Sequence, residues 1–347
     1  MNNIRLFHIS HTDLDGYACQ FLTNEVFSKK HFYNANYGLE VKQALKLVIT
    51  EIKNYQDEKL LLLISDLNLN QQESDELDKE IKSLQDSGFD ITLQLLDHHI
   101  TGKSSASKYE WYFLDDKRCA TKIVFDYLLK EFKAPLNDYK EWVDTVNAVD
   151  IWLENEKENF EFGKVLMSMV TKAREINSIL FNSLDRDFKF YLLKNSIGFL
   201  SLENAPIVLD NSVHSLKKEF LKDGFDDTLD NLSASYLVKS LDKIKDDLTV
   251  YYNGQKGLMT YCLGAISIPA NSFLRANSDY DFFIDVGRKG NASFRADGKL
   301  DVSQLASKLG NGGGHVNASG CKFDDFIETI NLQEVRAYIQ NKLNNLK

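Results

Sequence analysis

Ile91-Thr92-Leu93-Gln94-Leu95-Leu96-Asp97-His98-His99 decides how this chain is read. It has the pattern of a short apolar strand that delivers a carboxylate and two imidazoles to its C-terminal end. Packing does not call for three potential metal ligands in succession where a buried strand stops. The plain alternative is a polar loop that happens to hold two histidines. A metal site needs several convergent ligands, so the question turns on what the rest of the chain supplies.

Upstream, Leu60-Leu61-Leu62-Leu63-Ile64 is a continuous apolar run of the kind that forms a parallel strand buried on both faces. It ends at Ser65-Asp66. Gln71 to Asp86 follows, with Leu77, Ile81 and Leu84 spaced for one helix face. The first segment, Ile4 to Ser10, reads as another strand. It runs into His11-Thr12-Asp13-Leu14-Asp15-Gly16 and then a helical pattern from Tyr17 to about Ser28. In an extended loop the alternate residues His11, Asp13 and Asp15 point into one place, and Gly16 permits a sharp turn into the helix. Helix capping is the competing explanation, but it needs only one such residue. Three strands thus end in acidic residues with helices between them. That repetition predicts an α/β fold with a parallel sheet whose strand ends converge on one metal-binding edge. Further on, Cys119 to Lys133 reads as a helix. Trp142 to Trp152 then carries two rival carboxylates, Asp144 and Asp150, in apolar company. An acidic side chain between Val149 and Ile151 is costly to bury unless it is paired or metal-bound.

Residues 153–246 show helical patterns and no catalytic signature, and His214 reads as an exposed helical residue. Strand-like segments resume at Leu248 to Tyr252 and Gly257 to Leu263. Asp281 to Arg288 and Asn291 to Arg295 suggest a hairpin around Lys289-Gly290. Asp301 can cap a helix running to Leu309. Gly310-Asn311-Gly312-Gly313-Gly314-His315 then reads as a loop. Its glycines let the backbone approach a ligand and turn N–H groups toward an anion.

Net charge is −10, which disfavours long nucleic acid because that partner needs many cationic phosphate contacts. The last hundred residues are less acidic, with 11 Lys and Arg against 9 Asp and Glu, and suit holding a small anion better than the first part does. The cysteines Cys19, Cys119, Cys262 and Cys321 are widely spaced without a C-x-x-C pair, which points to a reducing, cytoplasmic setting. No apolar run approaches the ~18 residues of a membrane span, and Met1 to Ser10 lacks the basic region and apolar core of a signal peptide.

Together, His11-Thr12-Asp13-Leu14-Asp15-Gly16, Asp66, Asp97-His98-His99 and Asp150 resemble the motifs of the DHH phosphoesterase family, which includes RecJ-like nucleases and nanoRNases. Gly312-Gly313-Gly314-His315 followed by Ala318-Ser319-Gly320 resembles the family's associated substrate-binding domain. Ser293-Phe294-Arg295 resembles the strand supplying its phosphate-binding arginine. Many relatives place the first metal histidine four residues before the first motif aspartate. Ile9 stands there, and His11 lies two residues before Asp13. The resemblance implies a catalytic domain over 1–155, a helical connector over 156–246 and a smaller C-terminal α/β substrate-binding domain over 247–347. It implies two Mn²⁺ ions, with Mg²⁺ or Co²⁺ as substitutes. His11, Asp13 and Asp66 would hold one ion. Asp15, Asp66, His98 and Asp150 would hold the other, with Asp144 still a rival to Asp150. Asp97 would orient a neighbouring ligand, and His99 would contact the scissile phosphate or assist the leaving oxygen. Arg295, His315 and the Gly312-Gly313-Gly314 backbone would hold the end of the substrate, so that the second domain gauges its length.

The expected activity is metal-dependent hydrolysis of short RNA or DNA oligonucleotides, or linear dinucleotides, to nucleoside monophosphates. Expected partners exclude membranes and long duplex DNA and admit a homodimer. The alternatives are a cyclic mono- or dinucleotide phosphodiesterase, a 3′-phosphoadenosine-5′-phosphate phosphatase and, in a different class, a non-catalytic nucleotide-binding module.

Overall fold

The structure is a computed structural model that describes residues 3–346. The chain forms two compact units, one of residues 1–173 with 186–216, the other of 174–185 with 217–347. Both are α/β.

The first unit is built on β1 (Ile4–Ser10), β2 (Lys29–Asn34), β3 (Lys59–Ser65), β4 (Asp90–Asp97) and β5 (Tyr112–Leu114). The helices α1 (Leu14–Val26), α2 (Leu39–Ile52), α3 (Gln71–Asp86), α4 (Lys103–Ala106) and α5 (Ala120–Phe132) alternate with or follow these strands. Then come α6 (Lys140–Asp150), α7 (Lys157–Thr171), most of α8 (Asn182–Ile197) and most of α9 (Ala205–Leu221). The sheet is wholly parallel, in the order β2-β1-β3-β4-β5. The chain leaves β1 toward one edge and returns to β3 on the other side. β1 and β3 therefore flank the topological switch point, where open α/β sheets bind their ligands. Register sharpens this: Ser10 pairs with Ser65, and Ser65 with Leu96. The residues one step beyond that rung are His11, Asp66 and Asp97.

β2 and α2 have no counterpart in the sequence reading. β2 is an edge strand, Lys-Lys-His-Phe-Tyr-Asn, only partly buried along its length, so it lacks a clean apolar alternation. α2 buries Val41, Ala44, Val48, Ile49 and Ile52. α1 begins at Leu14, three residues before the sequence pattern suggested. Asp13 caps it by accepting from the Gly16 N–H at 3.1 Å. Gly16 is needed for close approach, not for a turn. It lies inside α1, and an added Cβ would meet the His11 carbonyl oxygen at 2.3 Å.

The second unit contains α10 (Leu229–Leu241), α11 (Lys245–Leu248), β6 (Thr249–Tyr252), β7 (Gln255–Tyr261), α12 (Ser267–Ala276), β8 (Phe282–Val286), β9 (Asn291–Ala296), α13 (Val302–Leu309), β10 (Gly313–His315), β11 (Ala318–Lys322) and α14 (Leu332–Asn344). Its sheet runs β10-β11-β9-β8-β7-β6, with β7 and β8 parallel and the other pairs antiparallel. Asp301 caps α13 through the Ser303 and Gln304 amides. Residues 156–246 are helical as expected, but they are divided between the two units. The expected glycine loop is in part a strand: Gly313, Gly314 and His315 pair with Gly320, Ser319 and Ala318. Crowding explains Gly312 and Gly314. An added Cβ would meet Cys321 Cβ at 2.5 Å from Gly312 and the Ala318 carbonyl at 2.6 Å from Gly314, while Gly313 faces open space.

Gly16→Ala is expected to destabilise the protein by about 1–3 kcal/mol, because helix and motif loop must separate to admit a methyl group. Gly313→Ala is the control, expected to fall within about 0.5 kcal/mol of the parent. Thermal denaturation of both variants checks this; equal melting temperatures would contradict the close-approach account.

Candidate metal centre

Three strand ends and two helix ends supply the site. His11 and Asp13 come from the loop after β1, Asp15 from the first turn of α1, Asp66 from the end of β3, His98 and His99 from the end of β4, and Asp150 from the last residue of α6. Asp66 is central and 1% exposed. Its φ of 55° is left-handed, a conformation that aspartate tolerates better than most residues and that is frequent at functional sites. Its two oxygens face different neighbours. Oδ2 lies 3.7 Å from His11 Nδ1, which is itself 2.8 Å from Asp13 Oδ2. Oδ1 lies 3.3 Å from His98 Nε2, which is also 3.8 Å from Asp15 Oδ2 and 3.6 Å from Asp150 Oδ2. The sequence-selected donors thus meet as two groups that share one carboxylate.

Electrostatics explains why a cation belongs here. Burial and the charges of Asp15, Asp13 and Asp150 push the Asp66 carboxyl well above its ordinary range. Burial, then Asp15 and Asp13, pushes Asp150 up to about 9. Asp66 Oδ2 and Asp150 Oδ2 are both buried without a hydrogen-bond partner, which is costly for a carboxylate unless something positive compensates. Burial lowers His98, favouring the neutral imidazole that a metal needs. Burial acts to raise Asp13, but the hydrogen bond and charge of His11 outweigh it and hold its carboxyl down to about 2. Donor atoms in the sets His11–Asp13–Asp66, Asp66–His98–His99 and Asp15–Cys119–Asp150 lie within 4.8 Å of one another. An oxygen-rich set with some imidazole fits a hard or borderline divalent ion.

Asp97 stands outside these sets. Its Oδ1 lies 2.7 Å from His99 Nδ1, and its Oδ2 accepts from the Tyr112 hydroxyl at 2.9 Å. Burial works against a charged His99, but the Asp97 bond and charge outweigh it and raise the imidazole. Asp144 also stands outside, paired with Lys122 at 2.7 Å. Of the two rivals, Asp150 joins the donors.

Several supporting residues had little sequence signal. Asp15 is fixed by the Ala120 and Thr121 amides at 2.7 Å each, at the first turn of α5, an ordinary place for an anion. His8 is fully buried between Thr23 Oγ1 at 2.9 Å and Ser65 Oγ at 2.8 Å, and burial holds it neutral by lowering it to about 3. It braces β1 against β3 just below the site. A histidine inside an apolar strand was its one visible mark. Cys119 Sγ reaches the Asp15–Asp150 set, but burial and those two carboxylates push its thiol well up, so the soft thiolate form is disfavoured.

In the second unit, Arg295 pairs across the sheet with Ala318, and Ala318 with His315. Directly paired residues point to one face, so β9, β11 and β10 set the arginine and the histidine on the same face with a small residue between them. Arg295 donates from Nη2 to Ser267 Oγ at 2.9 Å and from Nη1 to the Phe294 carbonyl at 2.8 Å. His315 is exposed. Among the described residues no helix is long and apolar enough to cross a membrane.

Residues 265–345 match the family model of the DHHA1 domain. Across 99% of both chains the protein is 42% identical to a 3′,5′-cyclic-nucleotide phosphodiesterase from Helicobacter pylori strain ATCC 700392 / 26695. It is 25% identical to oligoribonuclease NrnB of Bacillus subtilis strain 168, over 99% of this chain and 80% of that one. A crystal structure of an uncharacterized protein from Helicobacter pylori G27 superposes with a TM-score of 0.92 at 43% identity, covering 99% of each chain. The chain belongs to the DHH family of phosphoesterases. Members of this family are metal-dependent, and the acidic and histidine donors are here in place to bind metal.

The raised Asp150 sets a pH dependence. An unfolded aspartate releases its proton near pH ~4, whereas folded, metal-free Asp150 keeps it to about 9. Across that window the folded state binds more protons, so this group's contribution to stability falls as pH rises. In chelator, the melting temperature of Asp150→Asn relative to the parent should climb between about pH 5 and about pH 8. Asp144→Asn, whose carboxylate pairs with Lys122 outside the site, should retain far more activity than Asp150→Asn. The reverse ranking would assign the last ligand to Asp144.

Proposed function

We propose that the protein is a two-metal phosphodiesterase of small nucleotides. The observation that carries this reading is the shared carboxylate: Asp66 presents one oxygen to the His11–Asp13 side and the other to the His98–Asp15–Asp150 side. Asp66 would therefore bridge one ion held by His11 and Asp13 and another held by Asp15, His98 and Asp150. Mn²⁺ suits this donor set. Two such ions supply an activated water and neutralise charge on the phosphoryl oxygens.

The chain's own residues do the rest. The α5 amides hold Asp15 in one orientation, so its oxygens need not reorganise when a substrate arrives. Tyr112 fixes Asp97, and Asp97 fixes the His99 ring. With Nδ1 committed to Asp97, Nε2 is the atom that can present a proton to the leaving oxygen, and the raised imidazole favours it. Arg295 and His315 are the proposed anchors for the substrate's end. A guanidinium offers a planar, permanently charged donor fork to a phosphate.

Two substrate classes follow from the relatives. The 42%-identical one is named a 3′,5′-cyclic-nucleotide phosphodiesterase, and the 25%-identical one an oligoribonuclease. Hydrolysis of a nucleotide phosphodiester is common to both. Short linear oligonucleotides fit the reading in which Arg295 holds a terminal phosphate, and cyclic mononucleotides fit the more similar relative. A single panel with Mn²⁺ separates them: dinucleotides, longer RNA and DNA, 3′,5′-cyclic nucleotides and 3′-phosphoadenosine 5′-phosphate. Turnover of dinucleotides or cyclic nucleotides is expected, with little on long duplex DNA. Turnover of the bisphosphate alone would replace the phosphodiesterase reading with a phosphatase.

Arg295 tests the anchoring role. Losing a charge-assisted contact typically costs about 1.5–3 kcal/mol, or roughly ten- to a hundredfold. Arg295→Ala is expected to lower kcat/KM for a 5′-phosphorylated dinucleotide by about that factor. A chromogenic phosphodiester without a terminal phosphate should be almost unaffected. Equal losses on both substrates would show that Arg295 supports the fold or the metal centre instead.

A further inference from the structure

Tyr37 belongs to none of the motifs, yet it is held against two of them. It lies in the loop between β2 and α2, just before Gly38, whose φ is +82°. The Ala35 amide donates to the Ser10 carbonyl at 3.0 Å, at the end of β1. Thr12, inside the first motif, donates its hydroxyl to Asn36 Oδ1 at 2.6 Å. Asn34 donates to the His11 carbonyl at 3.2 Å. Glu40 Oε2 receives both the amide and the side-chain N–H of Asn36 at 2.9 Å each, which closes the loop on itself. Three hydrogen bonds thus fix a short polar loop against the end of β1 and the motif that follows it, and two more close the loop on itself.

The Tyr37 ring then lies between the two histidine-bearing loops. Its centroid is 5.4 Å from that of His11 and 5.9 Å from that of His99, the latter edge-on at 81°. The hydroxyl points toward His99 of the third motif. It lies 3.4 Å from both nitrogens of His99. Equal, long distances to the two nitrogens mean that neither bond is well formed, and His99 Nδ1 already has Asp97 at 2.7 Å. The ring is therefore positioned by its loop while the hydroxyl proton has no strong partner. The side chain is 43% exposed. A large aromatic side chain held this firmly, with its polar tip over an acidic site and part of its surface in solvent, is poorly explained by packing.

We propose that Tyr37 is a catalytic residue of this centre, whose hydroxyl donates a hydrogen bond to a non-bridging oxygen of the scissile phosphodiester. The inference rests on the phosphodiesterase reading above and adds a residue to it. The tyrosine keeps its proton throughout. It contributes a fixed donor where negative charge accumulates as water adds to phosphorus and the ester oxygen leaves. Such a donor is effective because it is already oriented before the substrate arrives.

The test compares the full-length parent, Tyr37→Phe and Tyr37→Ala, each with Mn²⁺, on a dinucleotide and on bis(p-nitrophenyl) phosphate. Tyr37→Phe keeps the ring contacts with His11 and His99 and removes only the hydroxyl. Its kcat/KM is expected to fall roughly ten- to a hundredfold on both substrates, since both contain the contacted phosphoryl group. Calorimetric Mn²⁺ affinity and the melting temperature should stay at parental values, and AMP should bind more weakly to Tyr37→Phe. Replacing the contacted oxygen by sulfur, a weak acceptor, should shrink the gap between parent and Tyr37→Phe in one phosphorothioate isomer of the dinucleotide. If the parent turns over neither substrate, the phosphodiesterase reading falls and this inference with it. If the parent is active and Tyr37→Phe matches it, only this inference falls. A Phe variant that matches the parent beside an impaired Ala variant would make the ring a stacking surface for a base, which also overturns the donor role. Loss of Mn²⁺ affinity in Tyr37→Phe would assign the tyrosine to the metal centre's framework and overturn it as well.

Discussion

Mutual repulsion among buried carboxylates is the constraint on which the first unit depends. Asp15 and Asp66 are each 1% exposed, and Asp150 stands beside them with its carboxyl pushed up to about 9. No packing advantage accounts for that arrangement. A carboxylate moved from water into a protein interior loses several kcal/mol of hydration unless a partner restores it. Asp15 recovers part of the loss from two amides at the start of α5. Asp66 and Asp150 each keep an oxygen with no partner. Two divalent cations would compensate these charges together. The fold holds that deficit in place through a parallel sheet whose β1, β3 and β4 end at the same level.

The support around the donors is built for rigidity. His8, kept neutral by burial, joins Thr23 to Ser65, and Ser65 also bonds Ser10, so the last residues of β1 and β3 are tied by side chains as well as by the ladder. Tyr112 and Asp97 do the same for the His99 ring. Ligands fixed by such outer contacts need little reorganisation when metal or substrate binds.

Much of this was legible in the sequence because the informative segments are extreme in character. An apolar run such as Leu60–Ile64 can hardly be other than a buried strand, and an acidic residue at its end has few structural uses. Asp13 shows the limit of that reasoning. Capping and ligation looked like competing roles, but a carboxylate has two oxygens: Oδ1 caps α1 while Oδ2 meets His11. Asp144 and Asp150 could not be separated from sequence, since both lie in apolar company. Lys122, which takes Asp144 away from the site, is 22 residues distant. β2 escaped notice because an edge strand need not be apolar, and with it went the loop that carries Tyr37. The glycines of 312–314 were legible as a special segment but not as a strand, because the crowding at Gly312 and Gly314 comes from β11 and α13, which no local pattern reveals.

The central claim is that one carboxylate, Asp66, is shared by two ions. Crystals of the full chain grown with Mn²⁺ and measured at the manganese absorption edge test it most directly. The account predicts two anomalous peaks roughly 3.5–4 Å apart, one on each side of the Asp66 carboxylate, the first beside His11 and Asp13 and the second beside His98, Asp15 and Asp150. A single peak, or two peaks of which only one touches Asp66, would contradict it.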